Sequence, residues 1–387
     1  MDLFADILPP LPAHVPISAV VEQITTRPRE PSHHPQAALP SRSPQPSASA
    51  PSPRAGLPLP RQNPWQRNGR SMTGEAVTNP EVAIRQAGLD WTVSRIDLRT
   101  ADTLDPVPDF SAIRRSDTGR VLGVVGPDYE PFQNAGMFQV LTDLAQVGRA
   151  DGGLPFTIET AGAFTGGKVV WVLAHLPDLS IRLGDDESKT YLLVSNGHTG
   201  NRTLIIAPTT IRVVCQNTLR MAESQARSNR STPGLAGGFT LKHTPGIHAA
   251  VEDAKAAFAS VIRDHAVTSA AWRRLADVPL TSALERSFFA TVFGAPGPDE
   301  TDRAKALRKG REERLAAILA SPTSRVRGTT DTAFSLLQAV VEFADHDRTT
   351  RIGEGGNADE SRLFSATFGS GADLKARAWD AALTLAA

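Results

Sequence analysis

The sequence predicts an α+β fold: an antiparallel, meander-like sheet with packing helices, followed by a mainly helical C-terminal part and preceded by a disordered N-terminal arm. Three observations predict it. Strand-like segments recur from Trp91 to Ala207 with turn residues and a single helical stretch between them, which argues against the alternating βαβ pattern of a doubly wound sheet. From His248 onward, apolar residues recur three and four apart, the helical spacing. Fourteen of the 29 prolines fall in residues 1–63, in runs such as SRSPQPSASAPSPR (41–54). That mixture cannot bury enough apolar surface to offset the entropy of ordering it. The chain therefore divides into a Pro/Ser/Ala-rich arm (1–63), an α+β domain (64–247) with a basic loop at 225–245, and a helical part (248–387).

Within the arm, MDLFADIL sets Leu3, Phe4, Ile7 and Leu8 beside Asp2 and Asp6, one amphipathic turn suited to docking on a host replication or recombination protein. A frayed end carrying a few apolar residues is the plainer alternative. Trp91–Leu98 alternates like a half-buried strand, and 110–115 and 120–125 flank Asp117-Thr118-Gly119 as a hairpin. Residues 134–147 repeat Phe138, Leu141, Leu144 and Ala145 at helical spacing, with Gly148 as the terminating residue. Segments 156–164 and 168–176 form a second hairpin about Gly166-Gly167, and 191–196 and 203–207 a third about GHTGN. After Pro208, Thr209 or Thr210 is placed to cap a helix through Ala222, although the β-branched residues at 211–215 make strand a competing reading. Helices are expected over 249–275, 281–293, 299–319, 330–345 and 371–386.

Equal numbers of basic and acidic residues, 41 of each, leave no net field to draw in a polyanion. The balance is uneven along the chain. Between Ser195 and Ala250 lie Arg202, Arg212, Arg220, Arg227, Arg230 and Lys242 against the single acid Glu223, a local charge of +5. His198, His243 and His248 add to it below neutral pH. Such a stretch suits the phosphates of single-stranded DNA. The competing reading is a solvated linker whose arginines pair with acids elsewhere, such as Asp185, Asp186 and Glu187.

Catalytic motifs fare less well. GEGGN (353–357) follows no strand and precedes no Lys-Ser/Thr, so it fails as a phosphate loop. Asp345-His346-Asp347 ends a helix, where adjacent residues point about 100° apart and cannot all reach one ion. The lone Cys215 excludes an intramolecular disulfide and reads as a small core residue unless a base lies near it. The reading is of a protein without cofactor or metal. With no apolar run of about 18 residues and with acids where a signal peptide carries Lys or Arg, the expectation is a soluble cytoplasmic protein.

VLGVVGPDYEPFQN (121–134), GGKVVWVLAHLP (166–177), YLLVSNGHTGNRTLIIAPTTIRVVCQNTL (191–219), TAFSLLQAVVEFADHDR (332–348) and SRLFSATFGSGADLKARA (361–378) resemble the phage/plasmid-like protein family, a domain of unknown function encoded on phages, plasmids and integrated elements. The resemblance runs from about Pro64 to the C-terminus and implies a role in the DNA metabolism of a mobile element. A more distant similarity, to single-strand annealing recombinases, implies an oligomer that binds and anneals single strands. Within these motifs Tyr129 is a candidate for base stacking, with a core position as the alternative, and Phe132 and Trp171 are candidates for the core. Asn196, His198, Asn201 and Arg202 are candidates for phosphate contact at the third hairpin tip. The leading function is thus non-enzymatic single-stranded DNA binding. The alternatives are a protein-interaction or anti-defence module docking on a host factor through the helical part, and a metal-dependent nucleic-acid enzyme using Asp345 or His346.

Overall fold

The computed structural model describes residues 64–150, 155–213, 218–219, 238–350 and 357–386. The chain has the antiparallel sheets and the helical C-terminal part that the sequence predicts. The arm, Cys215, Arg220, Arg227, Arg230 and most of loop 225–245 lie outside the described residues.

The first described segment is α1 (Pro64–Asn68), joined through β1 (Arg70–Ser71) to α2 (Pro80–Ala87). Helix α2 lies outside the predicted elements, although Asn79 caps it by accepting from Glu81 N and Val82 N and Gly88 closes it in the left-handed region. Three strands follow, β2 (Val93–Arg99), β3 (Pro106–Arg115) and β4 (Val121–Val125), forming their own small antiparallel sheet. Helix α3 (Asn134–Ala150) runs through Gly148 rather than ending there.

The larger sheet contains β5 (Thr157–Phe164), β6 (Val169–His175), β7 (Ile181–Leu183), β8 (Asp186–Gly197), β9 (Leu204–Arg212), β10 (Thr218–Leu219) and β11 (Phe239–Leu241). Its described order is β1-β5-β6-β8-β9-β10, with β7 on β8 and β11 on β9. Both faces are covered, which is why β6 reads as a continuous apolar run instead of alternating. One face, with Val170, Val172, Leu192, Val194 and Ile206, joins Phe138 and Leu141 of α3 and Val93, Ile113 and Val125 of the small sheet. The other, with Trp171, Leu193 and Ile205, meets Trp65 of α1 and the helix α9 (Ala358–Phe368) through Leu363 and Phe368.

Residues 210–212 are strand, not helix. Thr209, Thr210 and Ile211 favour the pleated surface, and Pro208 falls between the stretch of β9 paired with β11 (204–206) and that paired with β10 (210–211). Among the described residues, a missing N–H at Pro208 therefore breaks no ladder bond on that edge.

The rest is helical: α4 (Ile247–Ala256), α5 (Phe258–Asp277), α6 (Ser282–Phe293), α7 (Asp302–Leu319), α8 (Ala333–Glu342) with a wide turn over Phe343–Asp347, then α9 and α10 (Ser370–Ala386). Thr281, Thr301 and Thr332 cap α6, α7 and α8. Helix α9 lay outside the predicted set. A second core joins Trp272, Phe288, Leu315, Phe334, Leu337 and Trp379 to Ile181 and Leu183 of β7. Among the described residues no helix is long and apolar enough to cross a membrane.

Where β7 turns into β8, the backbone meets the loop before α8. A Cβ on Gly184 would lie 2.4 Å from the Arg327 carbonyl, and φ there is +63°. Gly119 has a similar φ, +68°, in open space. Gly184→Ala is expected to lower stability by about 1–3 kcal/mol, and Gly119→Ala by about 1 kcal/mol at most. Urea midpoints of the two variants compare them directly.

Candidate nucleic-acid interface

The ten candidate residues part into three groups. Four are interior. Tyr129 is buried, donates its hydroxyl to the Gly197 carbonyl at 3.0 Å and stacks on His243 at 4.9 Å, so it is a core residue and not a platform for bases. Asn196 is fully buried and donates from Nδ2 to the Phe132 carbonyl at 2.7 Å. His198 is fully buried, with its ring against Trp91 and Nε2 at 2.9 Å from Asn134 Oδ1. Because Asn134 Nδ2 donates to Leu89 O and Trp91 O, its Oδ1 faces the ring, and the imidazole carries its proton on Nε2. Phe132 and Trp171 are core residues as expected.

Arg212 is the fourth interior residue. Its guanidinium is clamped by the buried carboxylate of Asp186, which also accepts from Thr329 Oγ1 at 2.7 Å, and it lies 5.9 Å from the Phe334 ring. For Arg212 the reading of paired arginines holds, and Asp186 is one of the acids the sequence offered. This cation is unavailable to phosphate and instead ties β8 and β9 to the α8 loop.

The hairpin tip carries the second group. The registers Val170↔Asn196 and Ser195↔Ile205 bring β8 and β9 to a turn at 198–203. Asn201 is exposed there, whereas Arg202 leans onto α9, its guanidinium 4.8 Å from the Phe364 ring and Nη1 3.5 Å from the Phe368 carbonyl. The Leu241↔Leu204 pairing sets Lys242, also exposed, beside this tip. Arg220, Arg227 and Arg230, outside the described residues, form the third group. They belong to the stretch between β10 and β11, both of which pair with β9, so its two ends are fixed on one edge of the sheet.

Two of the anticipated histidines, His198 and His243, are interior and add no charge to this region near pH 7. Burial, then His243 and Arg115 nearby, push the His198 imidazole down to about 3, and burial lowers His243 as well, against the opposing hydrogen bond to Glu130 O. Both are neutral near pH 7. His248 is exposed and lies 5.4 Å from the Phe132 ring. Asp345 pairs with Lys375 at 2.8 Å, both buried, and Asp347 with Arg314 at 2.6 Å, so these acids are committed to cations.

The sequence reading missed an exposed apolar surface on the small sheet. Phe110 is 53% exposed, Val124 53% and Val121 47%. The only signal is parity within β3, where Phe110 and Ile113 fall on opposite faces and Ile113 alone joins the main core.

A family model described as a domain of unknown function, DUF932, matches residues 121–367. The chain belongs to this family. The DUF932 match begins at β4 and ends inside α9, taking in the Tyr129 loop, the hairpin tip, the basic stretch and α8. It is shorter than the resemblance read from the sequence, which extended from about Pro64 to the C-terminus. No curated protein and no solved structure matches the chain.

Proposed function

We propose that this DUF932 protein is a non-enzymatic, single-stranded DNA-binding protein in the DNA metabolism of a mobile element, and that the stretch between β10 and β11 follows the phosphates. One observation supports this above the others. Residues 213–247 carry Arg220, Arg227, Arg230 and Lys242 against Glu223 alone, a net +3, and the stretch is held at both ends on the edge of a rigid sheet. Lys242 and Asn201, exposed beside the same edge, extend the polar surface. Arg212, Tyr129, Asn196 and His198 take no part, so recognition rests on charge without base readout.

The test is fluorescence anisotropy of a labelled single-stranded oligonucleotide at low salt. Wild-type protein is expected to bind in the micromolar range or tighter, with little preference among sequences, and Arg220→Ala/Arg227→Ala/Arg230→Ala to bind at least tenfold more weakly. Equal affinities of the two proteins would remove the stretch from the account. A protein-interaction role draws support from the apolar face of β2–β4 and not, as anticipated, from the helical part.

A further inference from the structure

The small sheet presents an outer face that the rest of the described chain leaves open. Antiparallel partners share a face, so Ile96, Ala112 and Val124, aligned across the three strands, lie together with Phe110 and Arg114 of β3 and with Val121, which pairs with Arg114. The opposite face, with Val93, Ile113 and Val125, is in the main core. On the outer face Ala112 is too short to reach the surface and is fully buried among its neighbours, while Phe110, Val121 and Val124 stand about half exposed around it. The sheet is seated firmly: a Cβ on Gly123 would lie 2.8 Å from Thr199 Cα, so β4 rests against the β8–β9 tip.

Charge is distributed unequally along this face. At the β3–β4 end is Arg114, exposed and without an ion-pair partner among the described residues. At the β2–β3 end, Asp102, Asp105 and Asp109 are all exposed and outnumber the one exposed cation there, Arg99, whose Nη1 donates to the Leu104 carbonyl. Asp109 directly precedes Phe110. An apolar centre with a cation at one end and acids at the other is self-complementary under a twofold rotation, because the rotation lays the cationic end of one copy over the acidic end of the next. A polyanion finds no such match here: over residues 90–130 five arginines face eight acids.

We propose that the occupant of this face is a second copy of the same chain. The twofold axis passes near Ala112 of β3, so that Phe110 of each copy packs against the exposed Val121 and Val124 of the other and Arg114 of each meets Asp109 of the other. This inference goes beyond the DNA-binding reading and stands without it. Three strands spaced about 4.8 Å apart and about seven residues long give a footprint of roughly 15 by 23 Å, smaller than a standard interface. The dimer is accordingly reversible, forming across the micromolar range.

Sedimentation velocity of the full chain from about 1 to 200 μM tests this, a range set by the interface size. The expected result is a monomer at the low end and a dimer at the high end, with Phe110→Asp and Val124→Asp remaining monomeric throughout while keeping wild-type melting curves. Charge exchange supplies a test that does not depend on the apolar variants folding. Arg114→Glu alone and Asp109→Lys alone should each weaken dimerisation at least tenfold, and mixing the two should restore it, because only the mixed pair matches sign at both ends. A wild-type chain that stays monomeric at the highest concentration overturns the proposal. So does a dimer indifferent to Phe110→Asp and to charge exchange. If Phe110→Asp instead weakens oligonucleotide binding in a chain that is monomeric throughout, the face is a nucleic-acid surface and the dimer is wrong. Since the Arg220/Arg227/Arg230 variant leaves this face intact, it is expected to dimerise as wild type does.

Discussion

Replacing Asp186 with Ala is expected to destabilise the protein by about 3–5 kcal/mol, enough to leave a marginally stable domain largely unfolded at physiological temperature. The pair it breaks is almost inaccessible, with side-chain exposures of 2% for Arg212 and 1% for Asp186. Removing the carboxylate leaves a guanidinium in the interior that cannot shed its proton, and Thr329 loses its acceptor. The cost arises mainly from breaking a buried charge pair on one side only, so removing both charges is expected to be much milder. Asp186→Leu/Arg212→Met should recover most of the loss, since apolar side chains of similar volume often match a buried ion pair in stability. Asp185→Ala makes a useful contrast. Its partner Arg327 is 83% exposed in side-chain area, and the urea midpoint should barely move.

The second large effect is acid sensitivity. His198 is held down to about 3, by burial first and then by His243 and Arg115; His265 is held to about 4, by burial first and then by Arg273, against the opposing bond to the Leu179 carbonyl. In the unfolded chain both titrate near 6.5. The folded form therefore binds fewer protons than the unfolded form between those values, and stability rises with pH across that window. The contribution is complete above about pH 6.5 and is lost progressively as pH falls toward the folded values. At pH 4.5 each histidine should cost about 2–3 kcal/mol relative to pH 7. Burial lowers His243 and His175 too, so they act in the same direction. Denaturation midpoints measured from pH 7.5 to 4.5 should fall steeply, and His265→Gln should flatten the curve. A midpoint constant down to pH 5 would contradict the burial of these rings.

Local signals carried much of the fold. Gly119 and Gly166 mark turns where the chain needs positive φ, and Thr281, Thr301 and Thr332 announce helix starts that their hydroxyls do cap. The exceptions are places where tertiary context decides. Pro208 looks like a strand terminator, yet it lies inside β9, paired with Leu192 of β8. Gly148 does not end α3, because a glycine permits a helix stop without imposing one. Helix α9 is short and follows a glycine-rich segment, and its burial comes from Leu363 and Phe368 packing on a sheet more than 150 residues earlier.

The candidate site was less legible for the same reason. A charged residue in a basic stretch reads as exposed, and only the register Ser188↔Arg212 brings Arg212 to Asp186. Asn196 and His198 read as turn residues at a hairpin tip, yet the Tyr129–Asn134 loop folds over them and takes one side-chain hydrogen bond from each. The exposed face of β2–β4 is announced by no apolar–polar alternation in β3. It went unread because the sequence does not state which side of a strand meets the core.

Binding of single strands through their phosphates by a basic stretch on the sheet edge is tested most directly by its salt dependence. With four cations engaged, log K plotted against log salt should fall with a slope of about −3 for single-stranded DNA, and Arg227→Ala should make the slope shallower by about 0.7. Undetectable binding at low salt and micromolar protein, or a slope unchanged when Arg220, Arg227 and Arg230 are all replaced, would contradict it.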